Sequence, residues 1–302
     1  MGFNFFEKRK MVIIGAMAFC GIMVVFPTIT ATASKGAILL WLNGIVPMLL
    51  PFFIFSNFLK GTGAVNRISP KVYPFVMGIL SGYPMGARIA GDYCREKIID
   101  SKKCMEILSY SMVTGPAFII GTVGIEFLGS YKCGLILAVS HYLSAMANSV
   151  FYKDKDNNID NMKKVTVPIK NDYYNIFTDA ILDSFKSMAI ILAYIIVFMI
   201  TTDLLQFSGV LSMIGSPEIE ALAKGFLEMT VGCNSLIYCS DSMLSKTVIA
   251  AFMVTFGGMS VLGQSMSMLK DCNVKMIDLL KMKMSQGIIA AILAFSIGSF
   301  VL

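Results

Sequence analysis

Apolar positions along this chain fall in long blocks, and the blocks mark its elements. They lie at about 11–33, 36–59, 107–128, 133–152, 180–206, 246–269 and 284–302. About 20 apolar residues carry a helix across a bilayer core, so each block is predicted as a transmembrane span. Pro47 and Pro51 are predicted to kink the second span, because each lacks an N–H and clashes with the preceding turn. Polar breaks are short except at 153–178, where Lys153, Asp154, Lys155, Asp156, Asp160, Lys163, Lys164 and Lys170 predict a solvated linker. A charged amphipathic stretch at about 91–106 follows a further apolar segment at 74–90.

That segment does not read as one straight helix. In Gly78–Asp92, Gly82, Pro84 and Gly86 occupy every second position. Non-helical backbone at membrane depth is tolerated only where protein buries it or it lines a cavity. A Gly/Pro-interrupted apolar segment, with a counterpart in the other half of a chain, is the best sequence pointer to a carrier's binding site. The counterpart lies at about 217–239 and opens with Ser216-Pro217-Glu218, a cap followed by proline at the first helical position. Both segments are predicted as re-entrant helical hairpins. Two spans are broken as well: 107–128 by Thr114-Gly115-Pro116, and 246–269 by Phe256-Gly257-Gly258-Met259-Ser260.

Composition agrees with a membrane protein. The 302 residues are 56% hydrophobic and 15% charged, where a soluble domain has about a quarter charged. The net charge of +6 matters through its distribution. With the N-terminus in the cytoplasm, only Lys35, Lys132, Lys224 and Lys246 of the 25 Lys and Arg residues fall outside, as the positive-inside rule demands. Reading either hairpin as a full span would put a basic region outside. The basic residues are split among short loops with no interleaved aromatic platform, which excludes nucleic acid as a partner. The seven cysteines form no CxxC pair and the single His141 cannot complete a zinc set, so no metal site or cofactor is expected. The cysteines read as small packing residues. The basic start of the chain resembles a signal-peptide n-region, but the apolar run after it is too long, so a retained span is predicted.

A weak repeat runs through the chain in register. Asn57–Ile68 lies over Asp203–Ile214 without a gap, Gly78–Ser81 over Gly225–Glu228, and Met112–Gly115 over Met253–Phe256. Each unit is a span, a hairpin, a broken span and a span. Three crossings make an odd number, so the second copy is inverted, a carrier architecture. The fold expected is all-α and polytopic, with about seven transmembrane helices plus two re-entrant hairpins in two inverted-topology repeats. Its divisions are an extra N-terminal helix (1–35), a first repeat (36–152), a cytoplasmic linker (153–178) and a second repeat (179–302).

Candidate binding residues follow from the breaks. Ser81, Gly82, Tyr83 and Gly86 form the first tip with Pro84, Met85 and Ala87, and bare N–H groups at a half-helix N-terminus attract an anion. Close helix packing is the other reading of those glycines. Arg88 adjoins the tip, where it pairs with a carboxylate or snorkels to the interface. Glu228 is the sharpest single residue, since a carboxylate at membrane depth costs about 3 kcal/mol and marks a cavity or proton relay. The other reading places it at the outer interface. Thr114, Gly115, Thr230, Gly257, Gly258, Ser260 and Gln264 complete the expected lining. Asp203 is a weaker case, and Glu126 reads as interfacial. Asn57, Asn148 and Asn234, like Gln264, either bind a ligand or join helices. His141 reads as a helix-contact histidine. No nucleophile–base pair or P-loop is visible, so no enzyme is expected.

Ser81–Arg88 followed by a charged amphipathic helix, Ser111–Gly121, Ser140–Leu143, Gly225–Gly232 and Phe256–Ser260 with Gln264 resemble the YlbJ-type sporulation integral membrane proteins. These belong to the nucleoside-recognition (gate) domain group. The resemblance covers about 36–302, although this chain is shorter and its central linker brief. It implies a secondary transporter moving dipicolinate, a small anionic aromatic, from mother cell toward forespore across the outer forespore membrane. The alternatives are a nucleoside or nucleobase transporter and a non-transporting scaffold in spore assembly. The expected partners are the small-molecule substrate and the lipid bilayer. A coupling ion, H+ or Na+, and a homo-oligomer are compatible with the sequence.

Overall fold

The computed structural model describes residues 5–64, 68–153 and 172–302, and every regular element among them is a helix. The chain starts with α1 (Phe5–Val25) and α2 (Pro27–Leu40). Phe26 between them leaves helical backbone, at φ −116° and ψ 60°, and Pro27 opens α2. Between Arg9–Val25 and Pro27–Ile45 the axis turns by 100°. The first two predicted spans therefore meet at Phe26, not near residue 35. Thr30 and Ser34 lie inside α2 and do not end the helix. Their hydroxyls donate to the carbonyls one turn back, Phe26 O at 3.0 Å and Thr30 O at 2.7 Å.

A π-helical turn (Trp41–Ile45) joins α2 to α3 (Val46–Gly61). Val46 N reaches back to Trp41 O, one residue further than in an α-helix. This loosening lies just before Pro47, while Pro51, also predicted to kink the span, lies inside α3 without interrupting it.

The first predicted hairpin is α4 (Val72–Ser81) and α5 (Met85–Arg95). Its break holds Gly82, at φ +76°, and a cis Tyr83–Pro84 bond. The amphipathic stretch at 91–106 is divided between α5 and α6 (Ser101–Ser111), which Asp100 caps by accepting from Lys103 N at 2.8 Å. The predicted span at 107–128 is likewise in pieces. After the end of α6 come residues 112–115, unwound, then Pro116 in helical backbone and a π-helix (Ala117–Phe127).

Next is α7 (Tyr131–Phe151), capped by Ser130. Residues 154–171 of the predicted linker lie outside the described residues. Its last residues are already helical, because Asp172 caps α8 (Tyr173–Phe207). The second predicted hairpin is α9 (Pro217–Leu227) and α10 (Met229–Ser235), meeting at Glu228. Ser216 caps α9 as expected, accepting from Ile219 N. The last three helices are α11 (Met243–Phe256), α12 (Gly258–Met268) and α13 (Met276–Val301). The break between α11 and α12 is Gly257, in left-handed backbone at φ +85°.

Among the described residues, four helical stretches are long and apolar enough to cross a membrane: α7, α8, Met243–Met268 and α13. The bent pair α1–α2 brings the number to five. The seven crossings predicted are not reached on length and composition, because α3, α4 and the π-helix are shorter apolar pieces. The chain is thus an all-helical integral membrane protein with four to five candidate spans.

Packing explains where a site forms. α8 lies along α2 and α3, and α13 along α7 and α11. Each hairpin shares a core with parts of the other half of the chain. The first packs with α12 and α13 around Met85, Ile107, Leu262 and Met282. The second packs with the π-helix and α7 around Ile119, Cys133, Cys233 and Val254.

Candidate functional site

Of the unwound residues 112–115, Met112, Val113 and Thr114 are buried, so their backbone polar groups need partners. Side chains from α7 and α13 supply them. Thr114 N donates to His141 Nε2 at 3.0 Å, and Tyr142 Oη donates to Thr114 O at 2.9 Å. Lys283 Nζ donates to Met112 O at 2.9 Å. Because His141 Nε2 accepts, its proton sits on Nδ1, which donates to Thr255 Oγ1 at 2.8 Å. His141 is a helix-contact histidine, as expected.

The first hairpin closes on this break. A Cβ on Gly82 would stand 2.8 Å from Gly115 N, and one on Gly86 would stand 2.2 Å from Ser111 O. Tyr83 crosses to the other half of the chain, where its hydroxyl donates to Thr255 O at 2.9 Å. The second hairpin meets the second break in a matching way. A Cβ on Gly258 would stand 3.0 Å from Gly225 O and 3.1 Å from Met229 N.

Glu228 is only 3% exposed, with extended backbone at the joint between α9 and α10. Its carboxylate caps α10, accepting from Val231 N at 2.8 Å and from Thr230 Oγ1 at 3.3 Å. The chain's own carboxylate thus occupies the N-terminus of α10 at the second tip.

Between the hairpin tips lies a cavity of about 710 Å³. Its wall takes Asn43, Leu49 and Phe52 from the α2–α3 segment, Phe118 and Thr122 from the π-helix, and Ile191, Ile195 and Met199 from α8. Of the predicted site residues, Ser81, Gly82, Tyr83, Thr114, Gly115, Glu228, Thr230 and Gln264 are on the wall. This combination of a mostly apolar lining with a few polar groups is typical of small-molecule sites. Ser81 Oγ is buried on that wall without a hydrogen-bond partner. Asn234 is on the wall too, whereas Asn57 and Asn148 join helices. Asn57 donates to Ser184 Oγ at 2.9 Å, and Asn148 to Met282 O at 3.1 Å.

The other predicted site residues are not brought to the wall. Gly86 and Gly258 lie off it at the close backbone contacts, and Gly257 lies off it against the Val261 side chain. Ser260 is buried and accepts from Gln264 Nε2 at 3.1 Å, so it orients a wall residue. Arg88 faces α8 and α3 instead: Nη1 donates to Ser187 Oγ at 2.5 Å, and the guanidinium lies 5.5 Å from the Phe53 ring. One helical turn separates Arg88 from Pro84, and α5 turns its side chain away from the tip.

Glu126, read as interfacial, and Asp203, read as a weaker candidate, join Glu228 on the wall, giving it three carboxylates and, among the described residues, no Lys or Arg. One feature was missed in the sequence. Lys283, assigned to a basic loop, is fully buried in α13. A signal was available: Leu279, Met282, Lys283, Gln286, Gly287 and Ala290 recur at helical spacing on one buried face. Among the described residues no group of three or more His, Cys, Asp or Glu is placed to hold a metal ion.

The sequence is similar to the sporulation integral membrane protein YlbJ of Bacillus subtilis (strain 168). The two are 25% identical over 313 residues, covering 88% of this chain and 77% of that protein. No family model matches the chain, and no solved structure matches it.

Proposed function

We propose that this chain, an integral membrane protein of the YlbJ type, is a secondary carrier for a small carboxylated aromatic, dipicolinate. In this reading it works in the outer forespore membrane during sporulation, with its N-terminus in the cytoplasm. The cargo moves from mother cell toward forespore by alternating access around the two hairpin tips. The observation that carries the reading is the cavity of about 710 Å³ between two broken hairpins, with walls from both halves of the chain.

Seven crossings in two inverted repeats are the finer architecture of this reading. Element order supports it: α3, α4–α5, α6 with its π-helix, and α7 correspond to α8, α9–α10, α11–α12 and α13. The packing supports it too, since α5 lies on α12 while α10 lies on the π-helix. A gate-type domain follows from the same reading.

The wall sets a condition on the cargo. Three carboxylates repel a dianion, and Arg88 is not on the wall to offset them. The anion therefore enters with protons on the wall carboxylates or with a cation, H+ or Na+. Uptake of labelled dipicolinate into proteoliposomes tests the proposal, with wild type beside Glu228→Gln and Gly82→Leu. Wild-type uptake that both substitutions abolish is the expected result. No uptake by folded wild-type protein overturns it.

The same acidic wall favours a second reading, a neutral nucleoside or nucleobase cargo held by Glu228, Asn234 and Gln264. Nucleosides that compete where dicarboxylates do not would establish that reading in place of the first.

A further inference from the structure

Lys283 Nζ faces three oxygen acceptors, the number that a protonated ammonium with three N–H donors calls for. Its side chain is fully buried, and its three N–H donors go to Tyr83 Oη at 2.7 Å, Met112 O at 2.9 Å and Gln286 Oε1 at 2.6 Å. All three acceptors are uncharged, and no carboxylate among the described residues pairs with it. Nζ also lies 4.8 Å from the centre of the Tyr83 ring. A charge in the membrane interior is expensive, and it is found paired or at a pathway. An unpaired buried charge costs more than a paired one.

The space beside this ion is the cavity. Tyr83, which the ammonium touches, lies on the wall, as do Thr114 and Gly115 just after Met112. The ammonium thus stands one side chain behind the first hairpin tip, on a wall whose Ser81 Oγ has no partner. The three wall carboxylates give the cavity no positive charge of its own.

We infer that Lys283 is a positioning residue for anionic cargo: acting through Tyr83, it gives the first hairpin tip a positive pole that orients a carboxylate there and selects charged over neutral ligands. The inference rests on the carrier reading above and adds to it the source of the missing positive charge. The side chain of Tyr83 stands between Nζ and the cavity, and a charge acting through protein is screened less than one acting through water.

Competition against labelled dipicolinate in proteoliposomes tests it, with unlabelled pyridine-2,6-dicarboxylate and its neutral dicarboxamide as competitors. Wild type prefers the dicarboxylate. Lys283→Gln lowers that preference on the order of tenfold, with the dicarboxamide competing as before. Lys283→Arg, which keeps the charge, keeps the preference. A preference unchanged in Lys283→Gln overturns the inference, as does one lost equally in Lys283→Arg, which assigns the effect to packing. If Lys283→Gln does not fold, Lys283→Met takes its place, and a wild type that takes both competitors alike also overturns the inference, while its dipicolinate uptake leaves the carrier reading standing. No uptake by folded wild type removes both.

Discussion

Glu228 combines two roles that substitutions separate. As the cap of α10 it needs only an oxygen acceptor for Val231 N–H, which an amide provides as well as a carboxylate. As a wall residue it contributes a charge. Glu228→Gln is therefore expected to unfold near the wild-type temperature in detergent and to lose uptake. Glu228→Ala removes the acceptor too, and should cost about 1 kcal/mol of stability in the same measurement. Gly82 is constrained differently. Its positive φ and its approach to Gly115 N leave no room for a Cβ. Gly82→Ala should lower stability by about 1–3 kcal/mol, read by thermal unfolding.

At the scale of elements, the break at 112–115 survives at depth because neighbouring helices complete its hydrogen bonds. His141→Ala orphans the Thr114 N–H and is expected to cost about 1–3 kcal/mol. Tyr142→Phe orphans one carbonyl, which has a second lone pair, and should cost less. Hydrogen exchange at 112–115 checks the order of the two. The break at Gly82–Pro84 and the start of α9 were legible in the sequence, because Gly82, Pro84 and Ser216-Pro217 are local signals that act within a turn or two. The boundary at Phe26 was not. Thr30 and Ser34 bond to their own helix, and one phenylalanine in non-helical backbone makes the bend. Two π-helical stretches were also beyond reach, since nothing local separates them from α-helix. Of the cavity wall, Ser81, Gly82, Tyr83, Thr114, Gly115 and Glu228 were legible at the chain breaks, whereas Gly257 and Gly258 lie at a break but off the wall. Residues that converge only through packing, such as Asn43, Thr122 and Lys283, were not legible. Arg88 shows the converse: it is near the tip in sequence, yet α5 aims it at Ser187.

Across the whole molecule, Tyr83 ties the first hairpin to the second half's break, through Thr255 O and Lys283. Tyr83→Phe is expected to raise hydrogen exchange at 81–86 and at 253–258 together, and a rise confined to one of the two would show that they open independently. The first helix stands apart from this mesh. Beyond its 100° bend, α1 has no buried residue between Arg9 and Val25, and it packs chiefly on α2. Its side chains answer to a solvent rather than to neighbours, so the order of its letters carries almost no information. Shuffling residues 11–25 among themselves should leave expression and uptake unchanged, while shuffling 258–268 should abolish both. The chain is written in two dialects: one tolerates any permutation of oily words, and the other admits a single spelling.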